Sequence, residues 1–379
     1  MALRLKTDWI LFTTIVVMMF FGVVMLYSAS SVMAQLKFGS SWHFFYRQLA
    51  WMAVAIVAMM LLKRTHYRKL HSPTVAFAAI GIAMMLLLIV YFVDGDHHRW
   101  IRMGPVGIQP SELAKPALVV FLAFFVTLRA RAINTRYTLL PAAMAVGLVT
   151  AGVGVADLGT AIVLVATVAV VFFVAGLEWR YCVIALSLAA MGVIFLVASK
   201  PYRLARIVHY FDPNDKIIDH FDSHGRVKAY LSTSLTSRDT NYQAEQSKIA
   251  VGAGGPVGLG LMQGKQKLLY LPEAHTDFIY AVVSEELGLV GSLGVIVGFL
   301  VILWRGLRAT ILIPDDFGRY LALGVTTMLV VQAFMNISVV LGMMPNKGIP
   351  LPMISSGGSS LVSTLASLGI LLNVSEHAG

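Results

Sequence analysis

The sequence predicts an all-α integral membrane protein with about ten transmembrane helices, and three observations lead to this fold class. The 379-residue chain is 58% hydrophobic and only 13% charged, whereas a soluble domain carries roughly 25% charged residues. Its apolar residues form runs of about 20, the length that crosses a hydrocarbon core ~30 Å thick. Its net charge of +10 is concentrated at the ends of these runs. A soluble globular protein and a disordered chain are therefore excluded.

Ten apolar runs are bounded by charges or turn residues, and each is predicted to form one transmembrane helix. The first run follows Arg4 and Lys6, and we expect it to be retained as a helix rather than cleaved as a signal peptide. The single cysteine, Cys182, lies within the seventh run, so no disulfide framework is expected. The runs cover residues 9–28, 45–62, 74–93, 111–128, 139–156, 158–176, 181–198, 277–304, 319–343 and 357–375.

The distribution of Lys and Arg orients the chain. With the N-terminus inside, thirteen basic residues fall in short cytoplasmic loops and six in the opposite short loops, which predicts that both termini are cytoplasmic. No nucleic-acid partner is expected, because the basic clusters lie at helix ends and no nucleic-acid-binding module is present. We treat residues 1–379 as one polytopic domain, in which the polar stretch 199–276 between the seventh and eighth runs forms a large extracytoplasmic loop. A connection this long is usually functional.

Ionisable residues at membrane depth are costly, so each such group is a functional-site hypothesis. Glu112 and Lys115 lie three positions apart near the start of the fourth run. They either close a helix end as a structural ion pair or line a polar cavity that opens outward. Asp157 stands between the fifth and sixth runs, where it either caps the next helix or belongs to an outward-facing site.

The segment Pro272-Glu-Ala-His-Thr-Asp277 directly precedes the eighth run and carries the most chemistry. Partial desolvation of Asp277 at the membrane boundary raises its pKa toward the range that a general base needs, and helix capping is the alternative interpretation. Glu285 and Glu286 lie roughly 12 to 14 Å further along the helix. We interpret these two as buried structural partners of groups on other helices.

The segment from Pro345 to Ser360 combines Pro, Gly and Ser before the last run. Such irregular backbone is tolerated at membrane depth only where it is buried in protein or lines a cavity. Its free N–H groups and Lys347 suit a phosphate group.

No protein-bound metal or soluble cofactor is predicted. His97 and His98 beside acidic neighbours resemble metal ligands, but no second cluster has the spacing of a zinc site. The sequence also lacks a Walker A loop, a dinucleotide-binding fingerprint and the nucleophile elbow of hydrolases.

Five motifs follow one another along the chain. They are Gln109-Pro-Ser-Glu112 with Lys115, Asp157-Leu-Gly-Thr160, Tyr242-Gln-Ala-Glu-Gln-Ser-Lys-Ile-Ala250, Pro272-Glu-Ala-His-Thr-Asp277 and Ile354-Ser-Ser-Gly-Gly-Ser-Ser360. Together these motifs resemble the SEDS family of bacterial peptidoglycan polymerases. The resemblance extends over most of the chain in the family's order, and the segment ending at Asp277 and the stretch at Lys347 look more like the division branch, FtsW, than the elongation branch, RodA.

The resemblance implies a glycosyltransferase that polymerises lipid II on the outer face of the bacterial cytoplasmic membrane. It also implies a class B penicillin-binding protein as partner, within a division or elongation complex. Asp277 falls on the family's catalytic aspartate, and any Mg²⁺ or Mn²⁺ is expected to be held by the substrate pyrophosphate. The expected substrate-binding residues are Arg47, Glu112, Lys115, Asp157, Arg206, Gln243, Gln246, Lys248, His275, Thr276, Lys347 and Ser356.

Three departures from the family pattern bear on subgroup and fine geometry. Asp96, His97 and His98 stand where the family usually has small residues before Arg99-Trp100. Val155 and Ala156 stand where many members have Gln-Pro, and Ser356 stands where Tyr is common. The alternatives to a division polymerase are an elongation polymerase, a flippase for lipid-linked precursors, a scaffold that only binds division proteins, and a lipid-dependent ligase of the O-antigen type. A flippase needs a polar path through the whole bilayer, whereas most motif residues here cluster at the outer boundary.

Overall fold

The computed structural model describes residues 7–94, 99–103, 106–211 and 236–378, which form a bundle of helices with one short hairpin. In the hairpin, β1 (Ile101–Met103) pairs antiparallel with β2 (Val106–Ile108). Short 3₁₀ turns lie at Tyr67–Leu70 and Ala130–Ala132. The helices are α1 (Trp9–Phe38), α2 (His43–Arg64), α3 (Pro73–Val93), α4 (Pro110–Arg129), α5 (Arg136–Ala156), α6 (Leu158–Val174), α7 (Trp179–Ala198), α8 (Pro201–Phe211), α9 (Thr236–Gly254), α10 (Ile279–Leu312), α11 (Asp316–Val340) and α12 (Gly358–Glu376).

The predicted fold class is confirmed. Within the described ranges, nine helices are long and apolar enough to cross a membrane, and α6, with 17 residues, supplies a shorter tenth apolar helix. Two helices extend past their predicted ends, α1 to Phe38 and α10 to Leu312. Polar residues ended these runs in the sequence, but Gln, Lys and Arg are good helix formers, so hydropathy alone placed the ends too early.

The centre of the bundle is formed by α4, α11 and α12, which bury most of their side chains, whereas α7 lies at the periphery with only Val197 buried. Pro116 lies inside α4 and cannot donate to the carbonyl of Glu112. Ser363 of α12 donates to that carbonyl instead, at 2.6 Å. A side chain of a neighbouring helix thus satisfies the backbone group that proline leaves free.

A break in α10 separates its first turns from the rest of the helix. Gly288 adopts φ 61° and ψ −155°, a conformation that favours glycine. The segment 255–271 packs against this break, and Leu259 donates its backbone N–H to the carbonyl of Glu285 at 3.0 Å. The break therefore leaves room for the segment 255–271, which leads to Asp277, to pack against α10.

Glu285 and Glu286 anchor this segment by their side chains. Glu285 accepts the backbone N–H of Lys265 at 2.8 Å. Glu286 forms a buried ion pair with Lys267 at 2.5 Å and accepts from Ser28 of α1. The prediction of buried structural partners is confirmed, although most partners come from the segment 255–271 rather than from another helix.

The predicted large loop contains ordered helices. Both α8 and α9 fall within residues 199–276, and residues 212–235 lie outside the described ranges. These helices, the β1–β2 hairpin, the turn between α1 and α2 and the segments 255–278 and 341–357 share one end of the bundle, which we call the loop face.

Candidate functional site

A cavity of about 610 Å³ opens at the loop face, and its lining combines charge with apolar surface. Apolar side chains of α6, α7 and α11 form one part of the wall. Five basic and three acidic side chains line the rest, so positive charge prevails and the cavity suits an anion attached to an apolar group. The charged residues are Arg99, Asp157, Lys200, Arg203, Arg206, Glu273, Asp277 and Lys347.

Asp277 lies in this cavity, half-buried, two residues before α10 begins. Helix capping is the wrong interpretation, because the capping position of α10 is Phe278 and no side chain caps the helix. Burial raises the pKa of Asp277 to about 6, and the positive charge of Arg99 acts in the opposite direction. The carboxylate is therefore a stronger base than an ordinary aspartate and is still ionised at pH 7.

The backbone of Asp277 is fixed by Asn336 of α11. The Nδ2 atom of Asn336 donates to the carbonyl of Asp277 at 2.8 Å and to that of Ile349 at 2.6 Å. One buried amide thus joins the segment that carries Asp277 to the segment 341–357. The two preceding residues are fixed in the same way, because Ser355 Oγ donates to the carbonyl of Thr276 at 2.6 Å and the Ser356 N–H donates to that of His275 at 3.0 Å.

Gly348 lies directly against the Asp277 carboxylate. A Cβ atom at position 348 would overlap Asp277 Oδ2. The absence of a side chain here allows the carboxylate to lie against the backbone that carries Lys347.

Asp157 both caps a helix and lies in the cavity, which were the two roles considered for it from the sequence. Its Oδ1 atom accepts the N–H groups of Gly159 at 2.9 Å and Thr160 at 3.2 Å, which caps α6. Its Oδ2 atom lies 3.7 Å from Arg99 Nη2 and accepts from the Thr160 hydroxyl at 2.9 Å. Asp157 therefore orients Arg99 in the cavity.

The basic residues of the cavity are held in different ways. Arg203 donates to the carbonyls of Val155 at 2.7 Å and Leu196 at 3.2 Å, near the C-terminal ends of α5 and α7, where a cation is favourable. Lys347 makes no hydrogen bond or ion pair with any described residue. Burial lowers the pKa of Lys347 to about 7, and Asp157 acts in the opposite direction. The Lys347 ammonium is thus available to an incoming anion.

Three expected substrate-binding residues lie on α9. Gln243 lines the cavity and accepts from Asn346 Nδ2 at 3.2 Å. Gln246 is half-buried outside the cavity lining, and Lys248 is exposed and packs over Gly342. A helix turns 100° per residue, so only part of this motif can face the cavity.

The expectation that Glu112 and Lys115 line an outward cavity is not met. They form a buried ion pair at 2.7 Å, as the alternative interpretation of a structural ion pair predicted. Lys115 also donates to Gln332 Oε1 at 2.7 Å, and Gln332 donates to the carbonyl of Pro350 at 2.8 Å. The face of α4 that carries both residues points into the bundle centre. The pair is therefore linked through Gln332 to Pro350 in the segment 341–357.

Four other predicted residues lie outside the cavity lining. Arg47 is exposed on α2, above the ring of Phe44 at 5.3 Å. His275 contacts the same Phe44 ring, with the ring centroids 4.8 Å apart. Thr276 donates to Glu273 Oε2 at 2.9 Å, and Ser356 acts through its backbone N–H.

Sequence reasoning missed several residues of the site. Arg203 precedes Arg206 by three positions on α8, and this helical spacing was a usable signal. Asn336 and Gly348 gave no comparable signal, because an amide in an apolar run and a glycine in a loop have many ordinary roles.

The fold and the cavity together define a class, the multi-pass membrane proteins whose bundle holds an amphiphilic, positively charged cavity at one end. The family described as Cell cycle protein, which groups FtsW, RodA and SpoVE, matches residues 8–379, and the chain belongs to this family. The resemblance predicted from the motifs is confirmed.

Relatives match over nearly their whole length. The chain is 38% identical to a probable peptidoglycan glycosyltransferase FtsW from Geobacter metallireducens, with 98% of this chain and 95% of that protein covered. It is 36% identical to stage V sporulation protein E from Bacillus subtilis, with 99% and 98% covered.

Solved structures share the fold. A chain of a peptidoglycan synthase complex, described as coordinating polymerization and crosslinking, matches with a TM-score of 0.75 at 28% identity, covering 98% of both chains. RodA, the rod shape determining protein of Thermus thermophilus, matches with a TM-score of 0.67 at 26% identity, covering 99% of this chain and 98% of that one.

Proposed function

We propose that this protein is a peptidoglycan glycosyltransferase of the FtsW type, which polymerises lipid II during cell division. The observation that carries this proposal is the position of Asp277, a partly desolvated carboxylate in a cavity that is otherwise rich in cations. The names of the relatives agree with this chemistry.

Asp277 serves as the general base. The acceptor hydroxyl attacks the anomeric carbon of the donor sugar, forming the new C–O bond while the bond to undecaprenyl pyrophosphate breaks. The proton of the hydroxyl passes to the Asp277 carboxylate, and the leaving pyrophosphate takes the bonding electrons. A pKa of about 6 keeps the carboxylate ionised at neutral pH and makes it a competent base.

The cations of the cavity stabilise the leaving pyrophosphate. Lys347 has no partner among the described residues, and Arg99 and Arg206 line the same space. Charge-assisted hydrogen bonds from such groups favour the developing charge on the leaving group. The apolar walls from α6, α7 and α11 receive the first units of the lipid. A divalent cation would be held with the pyrophosphate, since the described residues contain no group of three His, Cys, Asp or Glu side chains that could hold a metal ion by themselves.

The loop face is assigned to the outside of the bacterial cytoplasmic membrane. The excess of Lys and Arg in loops at the other end supports this orientation, with both termini cytoplasmic. A class B penicillin-binding protein is the proposed partner, and the similarity to a chain of a peptidoglycan synthase complex supports it. Lipid II is the proposed substrate because the cavity suits an anion joined to a lipid.

A flippase is the alternative that deserves a direct comparison. It needs a continuous polar path across the bilayer. In the described part of the chain, the ionisable groups Glu112, Lys115, Lys267 and Glu286 are closed into buried ion pairs, and the charged cavity opens at the loop face. This distribution favours chemistry at one side of the membrane.

The test is glycan formation from purified lipid II, with the cognate transpeptidase present. Wild type should give polymer and Asp277→Asn none. Asp316→Asn is the matched control, because Asp316 is an exposed aspartate at the opposite end of the bundle. Polymer from Asp277→Asn at the wild-type rate would refute the assignment of the base, and no polymer from wild type would refute the proposed reaction.

A further inference from the structure

Asp94 ends α3 at a place where a carboxylate is unfavourable for the helix itself. It directly follows Val93, and its N–H donates to the carbonyl of Val90 at 3.0 Å. The C-terminus of a helix carries partial negative charge, so the helix dipole repels a carboxylate there. The side chain of Asp94 therefore does not serve to stabilise α3.

The Asp94 carboxylate instead binds the backbone of a residue that lines the cavity. Its Oδ2 atom accepts the N–H of Arg99 at 2.9 Å and the N–H of Trp100 at 3.0 Å. Hydrogen bonds to an ionised acceptor are roughly twice as strong as those between neutral groups. Two such bonds to adjacent residues fix both the position and the direction of the chain at Arg99.

The chain beyond Arg99 is fixed at further points. The ring of Trp100 lies against Gly107 of β2, where an added Cβ atom would come within 3.3 Å of the ring. The β2 strand leads to Gln109, whose Nε2 atom lies 3.5 Å from Asp157 Oδ2. The same carboxylate oxygen lies 3.7 Å from Arg99 Nη2. The backbone and the side chain of Arg99 are thus oriented by two different carboxylates.

The Arg99 guanidinium has donors available for a ligand. Arg99 lines the cavity, and its side chain is 30% exposed. This side chain makes no hydrogen bond with any described residue, since the distance of 3.7 Å to Asp157 is too long for one. A guanidinium presents its N–H groups as a planar fork that matches two oxygens of a phosphate group. Arg99 is therefore suited to an anion that enters the cavity.

We propose that Asp94 is a positioning residue for the reaction, which holds Arg99 so that its guanidinium meets the pyrophosphate of the lipid-linked donor. This inference rests on the proposed function, in which that pyrophosphate is the leaving group. Asp94 lies outside the cavity lining and acts only through Arg99. A long side chain that extends from a fixed backbone loses less conformational freedom when it binds, so more of its interaction energy is retained.

The position of Arg99 also affects the proposed base. The positive charge of Arg99 holds the pKa of Asp277 below the value that burial alone would give. Displacement of this cation should therefore raise the pKa of Asp277. The charged side chains that remain in the cavity when Arg99 is displaced are Asp157, Lys200, Arg203, Arg206, Glu273 and Lys347.

The test is a double-mutant cycle on kcat/KM for the polymerisation of lipid II, with the cognate transpeptidase present. Asp94→Ala removes the acceptor and should lower kcat/KM about tenfold or more. Arg99→Gln should lower it at least as much. Once the guanidinium is gone, its orientation no longer matters, so Asp94→Ala should have little further effect in the Arg99→Gln background. A loss by the same factor in both backgrounds would overturn the inference.

Asp94→Asn provides a conservative variant. Both N–H groups bind the same carboxylate oxygen, so one amide oxygen can accept both, and kcat/KM should stay close to that of wild type. Ser72→Ala is the control for α3, because it removes the side-chain cap at the other end of this helix and should leave kcat/KM unchanged. A loss in Asp94→Asn as large as that in Asp94→Ala would overturn the role assigned to these hydrogen bonds.

The pH profile separates positioning from a general loss of structure. In Asp94→Ala, as in Arg99→Gln, the rising limb that reports Asp277 should move to higher pH. Removal of a negative charge by itself lowers the pKa of a nearby carboxyl group, so an upward shift identifies a displaced cation. A uniform loss of activity with this limb unmoved would overturn the inference and leave the proposed function intact, whereas no polymer from wild type would overturn both.

Discussion

Asn336 lies 2.8 Å from the backbone oxygen of Asp277 and holds the residue that we propose as the base. The amide of Asn336 is buried in α11, and it also donates to Ile349. The position of the carboxylate therefore depends on a helix that contributes no charge to the reaction.

Replacing Asn336 by Ala should lower the turnover number without a matching rise in KM. The substitution leaves two buried carbonyls unsatisfied, at a cost of about 1–3 kcal/mol each, and it frees the segment that carries Asp277. We expect a loss of about tenfold or more in kcat, measured as polymer from lipid II. Asn134→Ala, which removes an exposed amide between two loops at the other end, should leave kcat unchanged. Equal rates for both variants would contradict a positioning role for Asn336.

Replacing Gly348 by Ala should displace the Asp277 carboxylate, because the added methyl group occupies the space of Oδ2. A carboxylate is the end of a flexible side chain, so we expect the protein to fold and to lose most of its polymerase activity. Gly147→Ala in α5 meets no neighbouring atom within 4 Å and serves as the control. Full activity of Gly348→Ala would show that the carboxylate position is not critical.

The pH dependence of kcat/KM should be bell-shaped. Asp277 acts as a base when deprotonated, so activity should rise as pH increases through about 6. Lys347 binds pyrophosphate when protonated, so activity should fall as pH increases through about 7. Lys347→Arg keeps its charge to high pH and should remove the upper limb while retaining the lower one. An upper limb that persists in Lys347→Arg would assign it to another group.

Breaking the Lys267–Glu286 pair should destabilise the whole protein. Lys267→Met leaves an uncompensated buried carboxylate, with an expected loss of roughly 3–5 kcal/mol, measured by thermal unfolding in detergent. The exposed pair of Arg319 and Asp316 provides the comparison, and Arg319→Met should cost about 1 kcal/mol or less. Similar shifts in unfolding temperature for the two variants would show that the buried pair contributes no more than a surface pair.

Hydropathy in the sequence determined the helices, because a membrane span must satisfy its own backbone hydrogen bonds and present apolar side chains over a fixed length. The same local physics identified Asp277 and Asp157, which lie at the edges of apolar runs, where an ionisable group is costly. The motif resemblance then predicted the family. These features are properties of short stretches of chain and can be read without knowledge of the packing.

Only the tertiary structure decided which polar residues meet. For Glu112 and Lys115 the sequence left open a structural ion pair or a place in a cavity lining, and they form a buried ion pair because the orientation of α4 turns their shared face inward. Arg47 and His275 were expected to bind substrate, and they lie outside the cavity lining, against the ring of Phe44. Contacts between residues far apart in the chain depend on how the helices rotate and pack. That rotation cannot be predicted from a short stretch of sequence.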